Sequence, residues 1–267
     1  MDLAASQILI DLYANVDVFL VVFVRVMGFF IILPVMAGQN MPIYARLGLA
    51  LGMALLAFTS GAVELPPYQF TLIGFGFLLV QEILIGLLIG FVVMMFFSLF
   101  HFVGQLVDFQ IGFSMVSVAD PFSQQQTPIT GSFYYLIVSV FFVWSGALHA
   151  VIEAFFGSFG LLPIGEAQIL GNPVLTFFVF EVIIEYFVFG LRIALPVIGT
   201  VIIIDIILGI LVKAVPQMNV FVVGLPIKVF LGMIVIYLTL PLLQTAFGFV
   251  MNDVIATIWN IIGGMMP

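Results

Sequence analysis

Three ionisable residues in one long apolar run, Glu181, Glu185 and Arg192, have a spacing that suits shared chemistry. On a 3.6-residue helix they fall at roughly 0°, 40° and 20°, so they share a face. Charges in a hydrocarbon setting pair with one another or face a water-filled cavity. Two readings follow: a proton or substrate path, or a buried ion pair that fixes helix register. His149 and Glu153 stand one helical turn apart and also share a face, as half of a metal site, a proton relay or a structural pair. The only other histidine is His101, and neither HxxxH nor HExxH occurs. Zinc sites need three or four such ligands, so a structural pair is expected and no metal. Arg25 has no opposite charge within a turn, which places its partner on another helix or another chain. GxSxG, P-loop and dinucleotide-binding patterns are all missing. Neither a catalytic residue nor a cofactor is expected, and the chain reads as a non-enzyme.

These residues are set in hydrocarbon. Of 267 residues, 64% are hydrophobic and 7% charged, against about 25% charged in soluble domains. Mean hydropathy is +1.39. This composition is that of an integral membrane protein. With no cysteine, disulfides, thiolate nucleophiles and iron–sulfur ligation are excluded. A net charge of −8 from 13 acidic and 5 basic residues argues against nucleic acid and against a polybasic surface anchor. A basic n-region is absent and Asp2, Asp11 and Asp17 precede the first apolar run, so no signal peptide is expected.

The elements that must position the charges follow from apolar length. Residues 1–17 read as a short acidic helix and Val18–Ala37 as a first span, returning through a tight turn into Ile43–Val63. Phe70–Val103 is longer than one upright span needs. Ser132–Phe156 is the fourth span. Val174–Val212 is divided by Pro196, where a kink or break is expected, and Val220–Val250 precedes a short amphipathic C-terminal segment. The fold class is an all-α membrane protein of six to seven hydrophobic helices, several of them broken or kinked, in one domain over residues 1–267. Gly48 with Gly52, and Gly86 with Gly90, form GxxxG faces for helix packing, with partner chains expected to complete them. With six spans, positive-inside places the connections at 38–42, 104–131 and 213–219 toward the cytoplasm.

The longest polar-enriched stretch runs from Gly104 to Gly131, GQLVDFQIGFSMVSVADPFSQQQTPITG. From Asp108 to Met115 polar and apolar residues alternate, a period of two that predicts extended backbone. Asp120-Pro121 and Thr127-Pro128 further disfavour helix. Extended chain at membrane depth must be buried in protein or line water. The stretch reads either as a lid, filter or plug or as an ordinary extramembrane loop.

Three blocks carry a resemblance to a known family: GQLVDFQIGFSMVSVADP (104–121), HAVIEAFFGSFGLLPIG (149–165) and VPQMNVFVVGLPIK (215–228). Together with Arg25, Pro34, Pro42 and Arg46 in the first hairpin and Glu82, Gly86 and Gly90 beyond it, they resemble the FliR/SctT family of the type III protein export gate. The resemblance covers nearly the whole chain. It implies a single-copy subunit assembling with FliP-type and FliQ-type membrane subunits and an FlhB-type protein into a helical hetero-oligomer. That assembly would lie in the bacterial inner membrane at the flagellar basal body and export unfolded substrates. It also implies that the loop at 106–123 is plug-like, with Phe109, Ile111, Gly112, Phe113 and Met115 as plug-loop residues, of which Phe109, Phe113 and Met115 would supply bulk and Gly112 backbone freedom. A virulence-type (injectisome) export gate is the alternative within the family. Outside it stands a self-contained secondary transporter or ion channel using Glu181, Glu185 and Arg192.

Overall fold

Long uninterrupted apolar runs, with capping residues at their ends, set the architecture. The computed structural model describes residues 13, 15–37, 41–60, 63, 71–114, 128–169 and 171–266. Among these, the regular elements are all α-helices: α1 (Val16–Ile32), α2 (Pro34–Ala37), α3 (Ile43–Thr59), α4 (Leu72–Ile111), α5 (Ile129–Trp144), α6 (Ala147–Leu161), α7 (Pro173–Ala214) and α8 (Val220–Gly264). The boundaries have chemical causes. The Asn172 carboxamide oxygen accepts the Leu175 N–H at 3.2 Å, and Pro173 takes the first helical position, where no N–H is needed. Asn219 accepts the Phe221 N–H at 3.1 Å and so opens α8. Leu33 interrupts α1 before Pro34, which cannot donate to the preceding turn.

Two compact units divide the chain: Met1–Met95 with Leu148–Val182 and Asp253–Pro267, and Phe96–Ala147 with Ile183–Asn252. In the first unit α1 buries Val18, Val21, Val22, Val26 and Phe29, and Phe29 stacks on Phe155 of α6 with ring centroids 4.4 Å apart. Helix α3 buries Ala50, Ala54 and Ala57, a small-residue stripe at helical spacing, and packs against α1. In the second unit Phe96 is surrounded by Phe97, Phe100, Phe142 and Phe247, all with centroids within 6.4 Å. Offset and edge-on contacts of this kind add about 0.5–1.5 kcal/mol per pair beyond burial.

The span pattern is coarser than expected. Among the described residues three helices, α4, α7 and α8, are long and apolar enough to cross a membrane, or up to four if the bent pair α5–α6 counts as one span. The expected fourth span is that bent pair, because Gly146 adopts φ +80° between Trp144 and Ala147 and ends the first helix. Pro196 does not divide α7, which runs unbroken for 42 residues, and Thr200 donates its hydroxyl to the Pro196 carbonyl at 2.8 Å. Pro226 and Pro241 likewise lie inside α8, which continues to Gly264 with no separate C-terminal helix. In each case packing tolerates the one hydrogen bond that proline removes. Residues 1–12, most of the expected acidic helix, lie outside the described residues, as do 38–40 of the first turn.

Candidate functional site

A buried arginine needs more than one acceptor, and Arg25 finds four contacts of three kinds. Its Nε donates to Glu82 Oε2 at 2.5 Å, with both side chains 0% exposed. Its terminal nitrogens donate to the carbonyls of Ser158, at 3.4 Å, and Leu162, at 3.2 Å. The guanidinium also lies 4.5 Å over the Phe159 ring. Glu82 spends its second oxygen on the Gly165 N–H at 3.1 Å. One ion pair thus ties α1 to α4, covers carbonyls at the C-terminus of α6 and fixes the turn beyond it, where Gly165 has φ +82°. The geometry satisfies a structural clasp, with both Glu82 oxygens and three of the five guanidinium donors used. The expectation that Arg25 pairs with another element holds, and Glu82 is that partner.

Close helix crossing completes this unit. A Cβ on Gly86 would collide with the Arg25 carbonyl, and one on Gly90 would come within 2.9 Å of the Phe29 carbonyl. Gly28 faces back across the same crossing, 2.5 Å from the Ile83 carbonyl for an added Cβ. The 86–90 face is therefore closed by α1 of the same chain, which corrects the expectation of a partner chain there. Gly48 and Gly52 have nothing within 4 Å of their Cβ positions, so that face is open.

In the second unit a different clasp closes the base of the polar stretch. Asp108, 3% exposed near the end of α4, accepts the Thr130 N–H through both oxygens, at 3.1 and 3.0 Å. A carboxylate at the first turn of α5 meets unsatisfied N–H groups and the positive end of the helix dipole. Beside it Gly104 and Gly131 touch backbone to backbone, a contact closed to any other side chain. Both ends of the segment between Gly112 and Pro128 are thereby held at one point.

The predicted extended backbone is not what precedes this segment. Helix α4 runs through Asp108, Phe109, Gln110 and Ile111 and ends at Gly112, where φ is +100° and the N–H bonds the Asp108 carbonyl at 3.1 Å. In a strand Phe109 and Ile111 would share a face. Here Phe109 is 74% exposed, whereas Ile111 is fully buried. The helical stripe Val103, Val107 and Ile111 wins over the short alternation because it continues the packed face of α4. Ile111 lies under Gly232, whose added Cβ would come within 2.6 Å of it. Phe113 is half-buried in a turn, and Met115 lies outside the described residues together with the Asp120-Pro121 and Gln124–Gln126 positions. Around the end of α4 a recess of about 460 Å³ is lined by Phe109, Gly112, Leu208, Phe221 and Leu225, with the Asp205–Lys228 ion pair beside them. That pair is partly exposed and contributes about 0–1 kcal/mol.

Glu181, Glu185 and Arg192 all lie on α7 and all are exposed. Arg192 borders a recess of about 200 Å³ with Tyr134, Pro196, Thr239 and Leu242. His149 and Glu153 are exposed on α6, and among the described residues no group of three metal-ligating side chains occurs. Sequence reasoning missed the Arg25–Glu82 pair and the Asp108–Thr130 contact. The first had a signal: two opposite charges, each alone in an apolar run.

Buried charge clasps, backbone-close helix crossings and long apolar helices left largely uncovered define a polytopic membrane component. Only 22% of the apolar stretch of α7 and 17% of that of α8 is buried within the chain, against 56% for α4. Residues 16–254 match the family described as bacterial export proteins, family 1. The chain belongs to that family. It is 29% identical to the flagellar biosynthetic protein FliR of Bacillus subtilis over 255 residues, 95% of this chain and 96% of the relative. It is 31% identical to the FliR of Aquifex aeolicus over 225 residues, 82% and 83% of the two chains. The surface presentation of antigens protein SpaR of Shigella flexneri is 29% identical over 234 residues, 85% and 88%.

Proposed function

We propose that this chain is a core subunit of the flagellar type III protein export gate. It assembles as one integral-membrane body with FliP-type and FliQ-type subunits and an FlhB-type protein in the bacterial inner membrane. Through the channel so formed pass unfolded flagellar proteins. The observation that carries this reading is the segment between Gly112 and Pro128, polar-enriched in an otherwise apolar chain and held at both ends by the Asp108 clasp. A segment anchored at its base, between the end of α4 and the start of α5, can block an opening and still be displaced. Phe109, Phe113 and Met115 supply bulk, and methionine repacks at low cost. The uncovered faces of α7 and α8 and the open Gly48–Gly52 face support assembly with other chains.

Two measurements test this. Co-expressed with its genomic neighbours and extracted in detergent, the chain should give a native mass of a hetero-oligomer; a stable monomer or symmetric homo-oligomer would refute the proposal. Deleting residues 114–123, beyond the packed end of α4, should leave the assembly intact and make cells permeable to small solutes. An intact assembly as tight as wild type would show that another element makes the seal. The near-equal identity to FliR and SpaR proteins keeps a virulence-type gate as the second reading. Rescue of motility, rather than of effector secretion, in the matching deletion strains separates the two.

A further inference from the structure

We propose that Pro196 and Pro241 form a paired joint in the α7–α8 hairpin, about which residues 197–240 swing as one rigid arm. The inference stands apart from the export-gate reading, because every part of it lies in the second unit of this chain.

Each proline leaves a gap in its own helix. Pro196 has no N–H for the Arg192 carbonyl, and Pro241 has none for the Tyr237 carbonyl, the acceptors one turn back. Both helices run on through the gap. One turn later the same arrangement recurs in each. Thr200 donates its hydroxyl to the Pro196 carbonyl at 2.8 Å, and Thr245 donates to the Pro241 carbonyl at 3.3 Å. A threonine bonded back in this way favours a bend at the weakened turn.

Position makes one joint of two weak points. Helices α7 and α8 form an antiparallel hairpin whose register is fixed by the Asp205–Lys228 ion pair and by Leu208 against Gly224. In that register Pro196 stands about one turn from Pro241. The recess of about 200 Å³ agrees, since its wall includes Pro196 together with Thr239, Leu242 and Leu243, which flank Pro241. One weakened helix would be held straight by an intact neighbour, whereas two weakened at the same level bend together. Beyond the joint the ion pair keeps the two helices in step. Pro226 lies beside that pair and has no α7 proline across from it, so it belongs inside the arm.

The arm forms one wall of the recess of about 460 Å³, through Asp205, Leu208, Phe221 and Leu225, and the end of α4 forms the other. A swing therefore widens or narrows that recess. From Pro196 to Ala214 is about 27 Å of helix, so a bend of about 20° moves the tip by about 9 Å.

The chain has no cysteine, so spin labels can be placed by Cys substitution in the full chain. Val215→Cys at the tip is paired with Val140→Cys on α5 and, in a second sample, with Phe133→Cys, all at exposed positions. Ile202→Cys with Val215→Cys, both inside the arm, is the control pair. By double electron–electron resonance, at least one distance from tip to α5 should be broader than the control by up to about 9 Å. Pro196→Ala with Pro241→Ala should narrow it to the control width, and either alanine alone should remove most of the excess. Amide exchange of the unsubstituted chain gives a second readout: residues 197–200 and 242–245 should exchange at least about tenfold faster than 203–211. Distances to α5 as narrow as the control would overturn the proposal, as would a width unchanged by the double alanine variant or uniform protection along both helices. Single alanines that each remove half of the excess would mean two independent kinks and would overturn the pairing.

Discussion

Replacing Arg25 by methionine removes the cation of the buried clasp and keeps most of its volume. The consequences can be worked from its contacts. Glu82 would remain fully buried with the Gly165 N–H as its remaining partner, and the Ser158 and Leu162 carbonyls would each lose a donor. Breaking a buried pair from one side costs about 3–5 kcal/mol. That is roughly a thousandfold in the folding equilibrium, since about 1.4 kcal/mol is tenfold, and a large part of a typical 5–15 kcal/mol total. Arg25→Met with Glu82→Met removes both charges, so the pair of substitutions should be more stable than Arg25→Met alone, by about 2 kcal/mol. Trp259 reports locally, because its ring abuts Gly157 on α6, one residue before Ser158. With Trp144, which is exposed, changed to Phe, the fluorescence of Trp259 through a denaturant titration in detergent follows this unit. An unchanged midpoint for Arg25→Met would refute the clasp as a stabilising element. A double variant less stable than either single one would refute the charge-balance argument.

Glycine faces give opposite expectations. Gly86→Ala drives a methyl into the Arg25 carbonyl and should lower the yield of folded chain severely. Gly48→Ala and Gly52→Ala meet nothing within 4 Å, so they should leave the isolated chain's unfolding midpoint unchanged within about 0.5 kcal/mol. Any effect they have should appear as reduced co-purification of partner chains. Asp108→Ala leaves the N-terminus of α5 without its acceptor and should cost about 1–3 kcal/mol. Limited proteolysis between residues 112 and 128 should accelerate, while Asp108→Asn, which keeps an acceptor oxygen, should be affected less.

Legibility in the sequence followed the range of the interaction. Helical class and membrane character are carried by composition, and Asn172-Pro173 and Asn219 mark helix starts through local capping chemistry. Span number was less legible because proline signals a lost hydrogen bond but not whether packing absorbs it; Pro196, Pro226 and Pro241 are all absorbed. The alternation at Asp108–Met115 misled over its first half for a related reason. Eight residues of period two say less than the continuing stripe at Val103, Val107 and Ile111, whose burial depends on residues such as Gly232 far along the chain. Pairing of Arg25 with Glu82 is non-local too. Two lone opposite charges suggest a pair, but only the crossing made possible by Gly28, Gly86 and Gly90 brings α1 and α4 close enough. Arg192 was singled out by charge alone, and its recess with Tyr134 and Thr239 needed three helices to be in place.

The contact between Gly104 and Gly131 also couples two helices through a single point. Positions 27 residues apart in the chain share one backbone approach: a methyl on Gly104 would enter the Gly131 backbone, and one on Gly131 would crowd the His101 carbonyl and the Pro128 ring. Either change would push α4 and α5 apart, and the Thr130 N–H would leave the Asp108 carboxylate with them. Crossing and clasp therefore act as one hinge pin, whose width is set by two residues without side chains.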